Sequence, residues 1–247
     1  MKELKGRTAV VTGGARRLGR HIALTLAAKG MNVVIHYATS RREAEEAASL
    51  AAGKGVQAWT VQADFSDPGG TASFARNCEE ISTDISVLIN SASIFRHGSV
   101  LEAPAHEFIE NFEINALAPL ALSRWFSRRC PGGSIVNLLD ARMDDYVKDH
   151  IPYALSKQAL KAITRILSLE LAPRIRVNAV APGVVLPPPG EGEEYLRKWS
   201  RTNPLEAWGS PEDISDAVLY LLQASFVTGQ VIYVDGGRHL KETAYDR

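Results

Sequence analysis

Short runs of apolar, mostly β-branched residues alternate along this chain with longer stretches whose apolar residues recur at helical spacing. Such short runs are typical of strands buried on both faces, and the longer pattern indicates amphipathic helices. The helical spacing is clear at Leu18, Ile22 and Leu26, and Gly30 follows as a helix stop. Seven runs predict strands, over residues 8–12, 32–37, 56–62, 85–90, 134–139, 176–180 and 230–234.

The alternation of strand and helix predicts an α/β fold. We expect a Rossmann-like, doubly wound, seven-stranded parallel sheet with helices on both faces. No repeat or low-complexity tract divides the 247 residues, so residues 1–247 are expected to form a single domain. The periodicity lapses around 187–192, which predicts a mobile lid over about residues 184–208.

Composition and charge exclude several classes of function. Twenty-eight Lys and Arg residues balance 28 Asp and Glu residues, so nucleic acid and membrane surfaces are not expected partners. Cys78 and Cys130 have neither CxxC nor metal-ligand spacing, which predicts no disulfide scaffold, no metal and a reducing cytoplasm. Metal-ligand spacing is also missing among His36, His97, His106 and His239. The apolar N-terminal stretch is interpreted as a strand rather than a leader.

A glycine-rich turn, TGGARRLG, joins the first predicted strand to the first helix. Gly13 and Gly19 would let the backbone approach a pyrophosphate, and free N–H groups of the first helical turn would donate to it. Arg16, Arg17 and Leu18 lie in the same turn, and Arg17 is a candidate partner for a cofactor phosphate. A dinucleotide site is favoured over the alternative, an ordinary connection between strand and helix.

The end of the second strand bears on which dinucleotide is bound. It reads His36, Tyr37, Ala38, Thr39, Ser40, Arg41 and Arg42. No carboxylate that could bind a ribose 2′-hydroxyl occurs before Glu43, whereas hydroxyl and guanidinium groups suit a 2′-phosphate. This favours NADPH over NADH, with His36, Tyr37, Thr39 and Ser40 as candidate contacts. The alternative is that Arg41 and Arg42 only begin a solvated helix.

The ends of the third and fourth strands carry further candidate cofactor contacts. Asp64 and Phe65 could reach an adenine, although Asp64 could equally serve as a turn aspartate. After the fourth strand, Asn90, Ser91 and Ala92 place small side chains beneath the path of the cofactor. These residues complete the predicted nucleotide site.

Tyr153 and Lys157 are four residues apart and follow Pro152, which suits the first turn of a helix. The spacing places both side chains on one helix face. An adjacent ammonium lowers the pKa of a phenol, so Tyr153 could act as a proton donor. The alternative is a packed tyrosine beside a solvated lysine. Asp140 ends the fifth strand, thirteen residues before Tyr153.

Together these motifs resemble those of the short-chain dehydrogenase/reductase family. The resemblance rests on TGxxxxxG, Asn90-x-Ala, Asn115, Tyr153-x-x-x-Lys157 and Pro182-Gly183. It implies that Tyr153 is the acid/base and that Lys157 binds the nicotinamide ribose and lowers the Tyr153 pKa. It also implies that Asn115 supports a water-linked proton relay.

The same resemblance implies further contacts and an assembly. Pro182, Gly183 and Val184 are expected against the nicotinamide, and the domain is expected to bind NADPH or NADP⁺ as a reductase. A homotetramer, built on the helices that carry Asn115 and Tyr153, is also implied.

Two departures from the common family pattern are similar to the pteridine reductase branch, which includes bacterial dihydromonapterin reductases. Arg17 replaces a glycine, and Asp140 replaces the serine expected before the tyrosine. Ser93 and Phe95 also fit that branch, whereas Ser91 stands where many relatives have a second asparagine.

The chemistry of Asp140 agrees with that branch. A carboxylate cannot donate a hydrogen bond to a ketone, but it can accept from the amino and ring N–H groups of a pterin. Asp140 is therefore predicted to be catalytic, as an acceptor or proton relay. Arg17, Ser93, Phe95 and Tyr153 are predicted to complete the pterin site, with Phe95 stacked on the ring.

The resulting hypothesis is NADPH-dependent reduction of a pteridine to its tetrahydro form. Dihydropterin, dihydrofolate and dihydromonapterin are candidate substrates. Two alternatives stay open. One is a carbonyl or 3-oxoacyl-thioester reductase of the same family, and the other is a catalytically silent, NADPH-binding regulator.

Overall fold

The structure is a computed structural model that describes residues 3–82, 84–143 and 148–240. The strands are β1 (Thr8–Val11), β2 (Asn32–Tyr37), β3 (Ala58–Gln62), β4 (Ile85–Asn90), β5 (Gly133–Leu138), β6 (Ile175–Pro182) and β7 (Val231–Val234). The helices are α1 (Arg17–Ala28), α2 (Arg41–Ala52), α3 (Gly70–Ile81), α4 (Ala105–Phe112), α5 (Ala118–Arg129), α6 (Ile151–Glu170), α7 (Glu193–Ser200) and α8 (Pro211–Gln223). A 3₁₀ turn follows over Arg238–Leu240.

The seven strands form one parallel sheet in the order β3-β2-β1-β4-β5-β6-β7. The prediction of a doubly wound α/β fold is therefore confirmed. The order in which strands are added to the sheet reverses between β1 and β4: β2 and β3 extend it toward one edge, and β4 to β7 extend it toward the other. The carboxyl ends of β1 and β4 border a crevice. Ligands of open α/β sheets bind at such a reversal.

Successive strand residues face opposite sides of the sheet and build a core on each side. Val11, Ile35 and Ile89 belong to the core beneath α1, α2 and α8. Val10 and Leu88 belong to the second core, beneath α3, α5 and α6. With both faces covered, the carboxyl edge of the sheet is where side chains can meet a ligand.

Strand boundaries differ from the predicted ones by at most two residues. The second and fourth strands match, whereas β3 begins at Ala58 and not at residue 56, after a turn in which Gly55 has φ +83°. The sixth strand is longer than predicted because it pairs with both β5 and β7, as far as Pro182 opposite Val234.

A π-helical turn, Glu113–Leu117, joins α4 directly to α5. Apolar periodicity did not predict it. Asn115 lies in this turn and is fully buried. The segment predicted as a lid, 184–208, contains α7.

Candidate active site

The turn after β1 needs glycine at two positions. Gly13 has φ +63°, and a Cβ there would lie 2.9 Å from the Cα of Ala92. A Cβ at Gly19 would overlap the carbonyl oxygen of Gly13. The two glycines therefore allow β1, α1 and the segment after β4 to pack closely, as a cradle for a phosphate requires.

His36 holds this cradle from below. Its Nδ1 accepts a hydrogen bond from the Gly13 N–H over 3.0 Å, so the ring proton is on Nε2, which donates to Ala63 O over 3.0 Å. Burial lowers the His36 pKa to about 4. Both ring nitrogens are engaged within the protein, so His36 positions the glycine turn. Direct contact between His36 and a cofactor stays a prediction.

Phe65 packs against His36. Its ring stacks on His36 with centroids 4.2 Å apart and is 8% exposed. It therefore belongs to the core beneath the nucleotide crevice and supports His36. Direct contact between Phe65 and an adenine stays a prediction.

The N-terminus of α1 suits an anion. Arg16 is its N-cap residue, no side chain caps the helix, and the first turn carries no acidic residue. Helix N-termini present N–H donors and a favourable dipole to phosphate groups. Leu18 lies in this first turn, so the predicted phosphate site matches the local geometry.

Arg17 makes a contact that the sequence did not predict. Its backbone lies in the left-handed region, φ +54°. Its Nη1 donates to Pro187 O over 2.9 Å, and Nη2 lies 3.5 Å from Leu186 O. The side chain thus links the glycine turn to the segment predicted as a lid.

The ends of β2 and β3 border the same crevice. Ser40 is the N-cap residue of α2 and makes no side-chain cap bond, and Thr39 and Arg42 are exposed beside it. Arg41 Nε donates to Glu45 over 2.9 Å. Strand β2 ends at Tyr37. The residues that follow it therefore offer hydroxyl and guanidinium groups to a ligand in the crevice.

Asp64 forms a turn of the kind that the sequence left open. Its Oδ1 accepts from the Ser66 N–H over 2.9 Å and from Ser66 Oγ over 2.7 Å. These bonds lower the pKa of the Asp64 carboxyl. The role of Asp64 toward an adenine stays a prediction.

Thr12 is a site residue that sequence reasoning missed. Its Oγ1 accepts from the N–H groups of Ser91, over 2.9 Å, and of Ala92, over 3.0 Å. The hydroxyl thereby fixes the turn after β4 against the glycine turn. The threonine before the first glycine of the motif was the signal that could have indicated this role.

Asn90 is buried beneath the crevice. Its Nδ2 donates to Asn137 Oδ1 over 2.7 Å, and Asn137 Nδ2 donates to Thr164 Oγ1 over 2.8 Å. This chain ties β4, β5 and α6 together. Asn90 therefore supports the strands under the predicted cofactor path.

Tyr153, Asp140 and Lys157 meet at the carboxyl end of β5. Tyr153 Oη donates to Asp140 Oδ2 over 2.9 Å, and Asp140 Oδ1 accepts from the Arg142 N–H over 2.7 Å. Lys157 Nζ donates to Leu138 O over 2.8 Å and lies 5.6 Å from the centre of the Tyr153 ring. The structure thus brings together three of the residues predicted to be catalytic.

The electrostatics of this cluster differ from the family-based expectation that Lys157 lowers the Tyr153 pKa. Burial, the nearby Asp140 carboxylate and the bond donated to it raise the Tyr153 pKa well above its usual value. Burial lowers the Lys157 pKa to about 8, against an opposing effect of Asp140. Tyr153 is therefore a neutral hydroxyl that holds its proton.

Asn115 connects the site to the helices behind it. Its Oδ1 accepts from Ser93 Oγ over 3.0 Å and from the Ile94 N–H over 2.9 Å. Its Nδ2 donates to Ser156 Oγ over 3.0 Å. Asn115 thus holds the segment after β4 against α6, and Ser93, a predicted substrate contact, is bonded to it.

A cavity of about 130 Å³ opens beside Asp140 and Tyr153. Phe95 lies at its wall, where its ring stacks on His150 at 3.8 Å and meets the Tyr153 ring edge-on at 4.7 Å. The other lining residues are Arg142, Met143, Ala154, Pro182, Gly183, Val184, Leu186, Tyr195 and Arg238. Arg142, His150, Tyr195 and Arg238 were missed, since only the tertiary fold brings them here.

Two negative findings apply to residues 3–82, 84–143 and 148–240. No group of three or more His, Cys, Asp or Glu side chains in these ranges could hold a metal ion. No helix in the same ranges has the length and apolar character needed to cross a membrane.

Comparison with known proteins identifies relatives along almost the whole chain. The family model described as enoyl-(acyl carrier protein) reductase matches residues 13–239. A short-chain type dehydrogenase/reductase from Picea abies is 32% identical over 252 residues, covering 95% of this chain and 93% of the relative. Pteridine reductase 1 from Leishmania tarentolae is 35% identical over 284 residues, covering 94% and 96%.

Solved structures give the same result. FolM alternative dihydrofolate reductase 1 from Brucella canis, complexed with NADP, has a TM-score of 0.88 and 32% identity, covering 100% of both chains. The angucycline C-6 ketoreductase LanV with bound NADP has a TM-score of 0.89 and 32% identity, covering 97% of this chain and 98% of LanV. The site geometry and these matches agree with the motifs: the chain belongs to the short-chain dehydrogenase/reductase family.

Proposed function

We propose that this oxidoreductase is an NADPH-dependent pteridine reductase, which converts a dihydropterin to its tetrahydro form. The observation that carries the proposal is the hydrogen bond from Tyr153 to Asp140 in the wall of the cavity. This bond pairs a proton donor, Tyr153, with a carboxylate acceptor, Asp140. A ketone reductase needs a second neutral hydrogen-bond donor in the place of that carboxylate.

The residues present fit NADPH. Gly13, Gly19 and the uncapped N-terminus of α1 suit the pyrophosphate, and Thr39, Ser40 and Arg42 offer donors to a 2′-phosphate. Pro182, Gly183 and Val184 line the cavity, where the nicotinamide would lie against them. The solved relatives complexed with NADP support this assignment. Bound NADPH supplies a hydride.

Asp140 selects the substrate in this account. Asp140 lines the cavity, with Oδ1 accepting from the Arg142 N–H and Oδ2 accepting from Tyr153 Oη. A pterin amino or ring N–H group donating to Asp140 satisfies that carboxylate and places the neighbouring ring nitrogen near Tyr153 Oη. A ketone oxygen would instead face the carboxylate.

The proposed reaction adds one hydride and one proton to the substrate. The C=N bond of the dihydropterin would gain at carbon a hydride that bound NADPH would supply, and at nitrogen a proton from the protein. Tyr153 Oη gives the proton to the ring nitrogen, and Asp140 takes up a proton from solvent and passes it to Tyr153 as the replacement. Lys157, anchored on Leu138 O, holds a positive charge near the phenol as it loses its proton. Asn115 supports the site through Ser93 and Ser156.

Reduction of a ketone or an oxoacyl thioester is the second candidate function. The observation in its favour is that the ketoreductase LanV and FolM are equally similar to this chain, each at 32% identity. A catalytically silent regulator is disfavoured, because Tyr153 lines the cavity and the buried Lys157 lies 5.6 Å from the centre of its ring.

A substrate panel tests the proposal. Purified protein is mixed with NADPH and, separately, a dihydropterin, dihydrofolate, a ketone series and a 3-oxoacyl thioester, and NADPH oxidation is followed by absorbance. We expect turnover of the pteridines and little with the carbonyl compounds. The opposite order would establish the ketone reductase, and NADPH binding without any turnover would establish the regulator.

We also propose that the protein is a homotetramer. Apolar side chains are exposed at Ile109 on α4 and at Leu117, the last residue of the turn that carries Asn115, and Ile166 and Leu169 are exposed on α6. Association along these helices would remove them from water. Light scattering after gel filtration should give four times the chain mass.

A further inference from the structure

His150 lines the cavity and has no part in the proton transfer described above. It is the N-cap residue of α6, three residues before Tyr153, which lines the same cavity. Three residues are close to one turn of an α-helix, so His150 adjoins the residue that donates the proton.

The structure holds His150 in one place. The residues on either side of it bond through their backbones to Gly98, over 2.8 and 3.0 Å. The His150 ring stacks on the Phe95 ring, with centroids 3.8 Å apart, and contacts the His97 ring at 4.0 Å. A ring held in this way can present a hydrogen-bonding group at the cavity wall without a large loss of conformational entropy on binding.

The bonds of His150 fix which of its nitrogens is free for a ligand. Nδ1 lies 2.7 Å from Arg96 O, and a carbonyl oxygen only accepts, so the ring proton is on Nδ1. Burial lowers the His150 pKa, and the neighbouring His97 acts in the same direction, so the ring is neutral near neutral pH. Nε2 then carries a lone pair, and no residue within 3–82, 84–143 and 148–240 bonds to it.

The chemistry of Nε2 limits what His150 can recognise. A neutral Nε2 accepts a hydrogen bond from a hydroxyl group but offers no donor to a carbonyl or a carboxylate. In a 7,8-dihydropterin substituted beside the reduced bond, the carbon that gains the hydride also carries the substituent. That substituent therefore leaves the ring beside the bond that Tyr153 protonates, and the ring N–H groups are assigned to Asp140.

We propose that His150 is a specificity-determining residue, whose Nε2 accepts a hydrogen bond from a hydroxyl group on this substituent. The inference rests on the proposed pteridine reduction and adds to it a second acceptor, one helical turn from Tyr153. Asp140 would thus recognise the ring, and His150 would recognise what the ring carries.

Three matched substrates test the inference on the unaltered enzyme: 6-hydroxymethyl-7,8-dihydropterin, its 6-methyl analogue and its 6-methoxymethyl analogue. The methyl group has no oxygen, and the methoxymethyl group has an oxygen but no proton to donate. One hydrogen bond is worth about 1 kcal/mol. We therefore expect kcat/KM for the hydroxymethyl compound to exceed that for each analogue by about fivefold or more.

Variants locate the preference. His150→Phe keeps an aromatic ring against Phe95 and removes the acceptor, so the ratio of kcat/KM for the hydroxymethyl and methyl compounds should fall to about one, mainly through a higher KM for the former. His97→Phe is the matched control, because His97 contacts the same ring but is not among the residues that line the cavity, and it should keep the ratio. Circular dichroism and NADPH titration check that each variant is folded.

The outcomes separate this inference from the proposed function. If His150 only braced the loop, His150→Phe would lower kcat/KM for both compounds alike and leave their ratio unchanged, which would overturn the inference. Equal kcat/KM for the three substrates with the unaltered enzyme would overturn it even if His150→Phe did not fold, and would leave pteridine reduction standing. Failure to reduce any pteridine would overturn the proposed function, and the inference with it.

Discussion

Tyr153 and Asp140 are joined by a hydrogen bond of 2.9 Å from the phenol to the carboxylate, at the wall of the candidate active site. Burial, the negative charge of Asp140 and this bond together raise the Tyr153 pKa and keep the proton on the phenol. Asp140 is also held by the Arg142 backbone N–H, so the acceptor is fixed in place. The pair is therefore a proton donor and an acceptor held in a fixed arrangement.

Replacing Tyr153 with phenylalanine should abolish the proton transfer and leave the nucleotide crevice intact. We expect kcat for dihydropterin reduction to fall by about 10² to 10⁴, the usual contribution of a positioned acid. The dissociation constant of NADPH, measured by fluorescence titration, should change little. Turnover near that of the unaltered enzyme would show that another group supplies the proton.

Lys157 should make stability depend on pH in the alkaline range. Its pKa in the folded protein is about 8, below the usual 10.5, so the unfolded chain binds more protons between these values. The free energy of unfolding should therefore rise with pH, by about 2 kcal/mol from pH 8 to pH 10 relative to Lys157→Met. Above this window the raised Tyr153 pKa acts in the opposite direction.

Urea denaturation of the unaltered protein and of Lys157→Met at several pH values measures the difference in their free energies of unfolding. A difference that stays constant from pH 8 to pH 10 would contradict the burial of a lysine with a lowered pKa.

The buried, neutral His36 should lower the free energy of unfolding at acidic pH. Its pKa is about 4 in the folded protein and 6.5 ordinarily, so the unfolded chain takes up a proton first as the pH falls. Relative to His36→Gln, the free energy of unfolding should fall by about 2 kcal/mol from pH 7 to about pH 4.5. If the free energies of unfolding of the two proteins, measured by urea denaturation, changed in parallel with pH, His36 would not be neutral and buried.

Loss of the Arg17 side chain should loosen the segment 184–208. Arg17→Gln removes the bond from Nη1 to Pro187 O, so limited proteolysis within this segment should become several times faster. Arg16→Gln is the matched control, because Arg16 is an exposed neighbour in the same turn. Equal cleavage rates in both variants would show that the Arg17 bond does not restrain the segment.

The strands and the Tyr153 and Lys157 pair could be predicted because their signals are local. Strand runs are short and β-branched, and a spacing of four residues places both side chains on one helix face. The family assignment followed from the same local motifs and is confirmed by relatives that cover nearly the whole chain.

The remaining features depend on contacts distant in sequence. Nothing near His36 indicates that its Nδ1 accepts from Gly13, 23 residues away. The π-helical turn at Asn115 arises where that side chain bonds to segments 21 and 41 residues away, at Ile94 and Ser156. Phe95 was predicted to stack on a substrate, and its place on His150 depends on a loop that periodicity cannot position.

The central claim is that Asp140 adapts this site to a pteridine, and exchanging Asp140 for serine tests it directly. The decisive quantity is the ratio of kcat/KM for a dihydropterin to that for a ketone, with the NADPH dissociation constant as a control for the nucleotide site. Asp140→Ser should lower the ratio by about 10² or more and leave NADPH binding nearly unchanged. An unchanged ratio with full pteridine reduction would contradict the account.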